Sequence, residues 1–104
     1  METWIHWRIP YDKKEYPTLK VKKDSIIWWD FNNEHHNLNI VNEKSYNKNT
    51  INDDTDINIG KLVTPQHGNM QIIVTIMDEP GTYYFLCSIK GHAELGHKIK
   101  IIVE

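Results

Sequence analysis

The chain has 104 residues, of which 25% are charged and 39% hydrophobic, and its formal net charge is −2 with histidines neutral. That length predicts a single domain over residues 1–104 with one modest core, and the scattered basic residues give no sign of nucleic-acid binding. No apolar run reaches the roughly 18 residues of a membrane span, no cleavable leader is visible at the start, and the lone cysteine, Cys87, excludes an intrachain disulfide.

Taken in order, residues 4–9 are rich in aromatic and β-branched side chains and stop at Pro10, which predicts a first strand. Residues 11–17 form a charged connection. Leu19 and Val21 then alternate with Thr18, Lys20 and Lys22, as a half-buried strand over 18–22 does. A turn at Lys23, Asp24 and Ser25 leads into a strongly apolar strand over 26–31, bounded by Asn32 and Asn33. The next strand is expected over 36–41, with Leu38 and Ile40 toward the core and Asn37 and Asn39 toward water. Side chains two apart share a face, so His36 points inward and His35 outward.

Residues 42–60 are dominated by Asn, Asp, Lys and Thr. They are expected to form a long irregular excursion with a helical turn near Ser45 and Tyr46, and loops of that length tend to be functional or mobile. Strand character resumes over 69–77, where Met70, Ile72, Val74 and Ile76 share a face. After a turn at 78–81, a strand over 82–88 carries Tyr83, Phe85 and Cys87 on one side. A last strand over 97–103 turns Ile99, Ile101 and Val103 inward. About seven strands and no long helix predict an all-β fold, a Greek-key β-sandwich.

The chemistry is concentrated near the C-terminus. Cys87, His92 and His97 are spaced five residues apart, with Gly91 and Gly96 permitting a tight loop. A thiolate and imidazoles brought together make a soft nitrogen-and-sulfur site for copper or zinc. A lone cysteine is often an inert buried thiol, but the inward-facing His36 supplies a further ligand. His6 and His67 read as surface residues, and His35 as a solvent-facing neighbour of His36. Lys20, Lys22 and Lys23 read as a solvated strand edge that discourages aggregation. Trp28, Trp29 and Phe85 read as packing, and Tyr83 as a corner residue whose hydroxyl ties back to the chain.

Several segments, in this order, resemble a known family: His6-Trp7-Arg8-Ile9-Pro10, Val21 through Phe31, His36-Asn37-Leu38, Gly81-Thr-Tyr-Tyr-Phe-Leu-Cys87 and Gly91-His92. The chain resembles the cupredoxins, and within them the phytocyanin type of blue copper domain, itself plastocyanin-like. The resemblance implies one copper ion with His36, Cys87 and His92 as equatorial ligands. It also implies a hydrogen-bonded tie behind them between Asn37 and Ser88. Two departures stand out. Asn49 and Ala93 occupy the places of the family's disulfide, and His97 stands where the family has a weak axial Met or Gln. Imidazole is the stronger donor, so a bound His97 is expected to pull the site toward tetrahedral or tetragonal, with a green or red colour and a low potential.

The function implied is that of a monomeric one-electron carrier, not an enzyme, cycling Cu(I)/Cu(II) between redox proteins. Those partners are expected to dock near His92, around Gly91, Ala93 and the 42–60 region. Two alternatives compete with it: a small redox catalyst binding nitric oxide or peroxide at an open position, and copper storage or zinc capture without redox work. Family habit implies an extracytoplasmic location.

Overall fold

The computed structural model describes residues 2–33, 35–51, 54–60 and 70–104. In chain order these form β1 (Glu2–His6), β2 (Leu19–Val21), β3 (Ser25–Asn32), β4 (Leu38–Val41), α1 (Glu43–Lys48), β5 (Ile57–Gly60), β6 (Met70–Met77), β7 (Gly81–Leu86), a 3-10 turn (Ala93–Leu95) and β8 (Lys98–Val103). They make two sheets, one ordered β1-β3-β6 and the other β2-β8-β7-β4-β5. The pairs β1–β3 and β2–β8 are parallel, and the others are antiparallel.

The core lies between the sheets and follows from strand alternation. On β3, Ser25, Ile27, Trp29 and Phe31 are buried while their neighbours are only partly covered. Val21, Leu38, Phe85, Ile99, Ile101 and Val103 meet them from the opposite sheet. The expected β-sandwich is therefore present, with eight strands among the described residues in place of about seven. At the corner before β7, the Tyr83 hydroxyl donates to the Glu79 carbonyl at 2.7 Å, the expected tie. Lys20, Lys22 and Lys23 are exposed, and Trp29 and Phe85 are core residues.

Alternation told which β6 residues share a face but not which face is inside. Met70, Ile72, Val74 and Ile76 are 46–62% exposed. Register decides it. Trp29 of β3 stands opposite Ile73, and its Nε1–H donates to Thr75 Oγ1 at 3.0 Å, drawing the other β6 face inward. On the outward side Trp4 and Trp28 stack with ring centroids 5.2 Å apart.

The excursion at 42–60 is more ordered than its composition suggested. Its polar side chains cap and tie the chain instead of leaving it irregular. Asn42 caps α1 by accepting from Ser45 N at 2.8 Å, and Asn49 closes the helix in the left-handed conformation at φ 59°. Asp56 accepts from Asn42 N at 2.9 Å and from Ser45 Oγ at 2.5 Å. β5 then pairs with the outer edge of β4. Residues 52–53, 61–69 and hence His67 lie outside the described residues.

This added layer corrects the orientation expected for β4. Tyr46 of α1, Val41, Leu86 and Ala93 form a second buried cluster on the far side of β4 and β7. Both faces of β4 are therefore covered, and Asn37 and Asn39 are buried rather than water-facing.

Candidate metal centre

Two loops at one end of the sandwich bring the candidate residues together. His36 lies just before β4, in the link from β3, and its N–H donates to the Asn32 carbonyl at 3.0 Å. The strand expected at 36–41 begins two residues later, at Leu38, so His36 is aimed by a turn and not by the pleat. Cys87 follows β7 and is fully buried. The chain then folds tightly: His92 N donates to the Ile89 carbonyl at 3.0 Å, and His97 N donates to the His92 carbonyl at 3.1 Å. Cys87 N closes the loop by donating to the His97 carbonyl at 3.1 Å.

The result is a cluster of His36, Cys87, His92 and His97, whose potential ligand atoms all lie within 4.8 Å of one another. His92 Nδ1 lies 3.4 Å from His36 Nδ1 and 3.5 Å from Cys87 Sγ. Donors bound at about 2.0–2.3 Å around one tetrahedral ion sit about 3.3–3.7 Å apart, so these spacings fit a metal ion. His97 is 0% exposed, and neither of its ring nitrogens has a hydrogen-bond partner. An unsatisfied buried polar group costs about 1–3 kcal/mol, and a bound ion would remove that cost at one of the two nitrogens. His97 is thus held inside, away from solvent.

The electrostatics suit neutral imidazoles. Burial, followed by the neighbouring His36 and His92, lowers the His97 pKa to about 2. Burial, followed by His92 and His35, lowers that of His36 to about 4. Burial also lowers His92. For Cys87 burial raises the pKa, partly offset by the backbone N–H groups of Asn37 and Ile89 aimed at the sulfur.

Behind the cluster the two loops are tied as expected. Asn37 Nδ2 donates to Ser88 Oγ at 2.9 Å, and Asn37 Oδ1 accepts from Ser88 N at 2.8 Å. Sequence reasoning missed the continuation of this tie. Asn39 Nδ2 donates to Asn37 Oδ1 and to the Leu86 carbonyl, both at 3.1 Å, while Asn58 Nδ2 donates to Asn39 Oδ1 at 2.8 Å. The chain of amides runs from β5 to the Cys87 loop, and every buried group in it finds a partner. Of the remaining histidines described, His35 is exposed, and His6 is exposed and paired with Asp30 at 2.8 Å. Ala93 is buried and cannot form the surface expected of it, whereas Leu95 of the same turn is 41% exposed.

Known structures share this architecture. Spinach plantacyanin superposes with a TM-score of 0.71 at 18% identity, over 100% of both chains. Cucumber stellacyanin, described with Cu2+, gives 0.67 at 22% identity over 99% of this chain and 96% of its own. Auracyanin from the photosynthetic bacterium Roseiflexus castenholzii gives 0.58 at 27% identity over 99% of this chain and 96% of its own. The fold is that of a phytocyanin-like cupredoxin. No protein-family model matches the chain, and no curated protein does.

Proposed function

We propose that His36, Cys87, His92 and His97 together hold one copper ion and that the protein carries single electrons between larger redox proteins. His97 carries this reading: a fully buried imidazole with two unpartnered nitrogens, beside a buried thiol and two further imidazoles. A soft thiolate with imidazoles suits copper and disfavours the hard cations. The fold is also that of structures described as blue copper or Cu2+ proteins.

Copper, when bound, supplies a one-electron Cu(I)/Cu(II) couple. The chain's own residues do the rest. Two sheets and the Asn37–Ser88 tie keep the donors in place, so little rearrangement accompanies a change of charge. Buried Cys87 and His97 exclude water, while His92 is only partly covered beside exposed Leu95. Partners are proposed to dock there, over His92, Gly91 and Leu95. A centre closed on its buried side by His97 suits electron transfer better than catalysis on a small molecule. The same reading puts the protein in an extracytoplasmic compartment.

Copper titration followed by voltammetry tests this. One copper per chain and a reversible one-electron wave are expected. Irreversible cycling would point to storage instead, and a spectral change on adding azide or nitrite would point to a small-molecule catalyst.

A further inference from the structure

We infer that Trp7 is a positioning residue that locks His97 into the centre and so keeps the site closed to outside ligands. The inference rests on the copper reading above and concerns what holds its fourth donor.

Trp7 lies just beyond β1 and is 1% exposed. Its ring packs on His97 with centroids 4.2 Å apart and planes tilted by 40°. Its Nε1–H donates to the carbonyl of Asn37 at 2.8 Å, and Asn37 directly follows His36. One indole therefore touches the ring of one candidate ligand and the backbone directly after another, the two ligands lying 61 positions apart in the sequence. The edge of Trp29 meets it at 5.2 Å and 88°, fixing it from the core side.

The chain on either side of Trp7 is pinned as well. The Tyr16 hydroxyl lies 2.8 Å from the His6 carbonyl and 2.7 Å from the Arg8 carbonyl, and it accepts from Arg8 N at 2.9 Å. The same segment presses on the backbone around His97. Tyr16 N donates to the Lys98 carbonyl at 3.1 Å. A Cβ on Gly96 would sit 2.3 Å from the Lys14 carbonyl oxygen, and Gly96 has φ 91°, so only glycine allows this approach. Residues 14–16 thus hold the neighbours of His97 while Trp7 covers its ring. An imidazole so enclosed is held against turning away, and an exogenous anion is kept off the face that Trp7 covers.

The test is a double-mutant cycle on the copper-loaded protein. Trp7→Leu and Trp7→Phe are each made in the wild-type and His97→Leu backgrounds. Copper stoichiometry, the Cu(II) EPR spectrum and azide affinity are measured in each. Trp7→Leu is expected to keep one copper per chain, to change the EPR spectrum, and to raise azide affinity by about tenfold. Trp7→Phe keeps a ring on His97 but loses the N–H donor, and it is expected to give a smaller change of the same kind. In the His97→Leu background neither substitution should add to the change already present. An unchanged azide response in both Trp7 variants overturns the inference, as does an equal increment in both backgrounds, which would mark a general loosening of the fold. If Trp7→Leu does not fold, Trp7→Phe alone decides by the same two comparisons. Absence of copper uptake by the wild type would instead contradict the copper reading, and it is seen before any variant is compared.

Discussion

Replacing Cys87 with serine is expected to abolish the intense visible absorption of the copper-loaded protein and the proton release that accompanies loading at pH 7. The copper-free thiol is held protonated by burial, which outweighs the amides of Asn37 and Ile89. His36, His92 and His97 are all lowered below the ordinary histidine value of 6.5 and carry no proton to lose near neutrality. Since a metal takes the thiolate, loading should release about one proton per ion, all of it from Cys87. A serine hydroxyl neither ionises at this pH nor donates as a soft ligand, so affinity should fall steeply with the colour. Calorimetry in buffers of different ionisation enthalpy reads the proton directly. Release of a second proton from the wild type, or undiminished release from Cys87→Ser, would mean that a histidine enters the site charged.

The second large effect concerns the copper-free fold in acid. In the unfolded chain His97 titrates near 6.5, but in the folded protein burial lowers it to about 2. Between those values the unfolded state binds a proton that the folded state refuses, so stability falls as pH falls. One fully coupled group costs up to about 1.4 kcal/mol per pH unit, and His97 alone would remove about 2.3 kcal/mol between pH 6.5 and 4.5. That is a large share of the roughly 5–15 kcal/mol that holds a domain folded. His36, lowered to about 4 and half-buried, adds in the same direction. Urea denaturation of the copper-free protein at pH 7 and pH 4.5 should show the loss, and His97→Leu should remove a substantial part of it, with His36 accounting for much of the rest. Equal pH dependence in the two proteins would place the acid sensitivity elsewhere.

Much of this site was legible in the sequence because it sits where the chain is most regular. The Cys87, His92 and His97 spacing gave one tight loop, and the alternation of Phe85 with Cys87 set the thiol inward. His36 was found by a strand argument, although a turn two residues ahead of the strand is what aims it. Asn37 and Asn39 do not follow strand alternation to the water-facing side. Period-2 alternation assumes one wet face, and here α1 covers the second. The helical turn expected near Ser45 and Tyr46 is α1, but its full extent was hidden because its stability comes from Asn42, Asn49 and the distant Asp56. β6 shows the converse: its apolar alternation is real but faces outward, and only the register with Trp29 and Thr75 reveals it. Trp7 read as one more strand aromatic, since its contact with His97 joins positions 90 residues apart.

The most direct test of the account is the absorption and EPR spectrum of the Cu(II) protein beside that of His97→Met. If His97 is the fourth donor, the wild type should be green or red, with a strong higher-energy thiolate band. The variant should then be bluer, with a raised reduction potential, because thioether is the weaker ligand. A wild type that is already pure blue, with spectrum and potential unchanged by His97→Met, would contradict it.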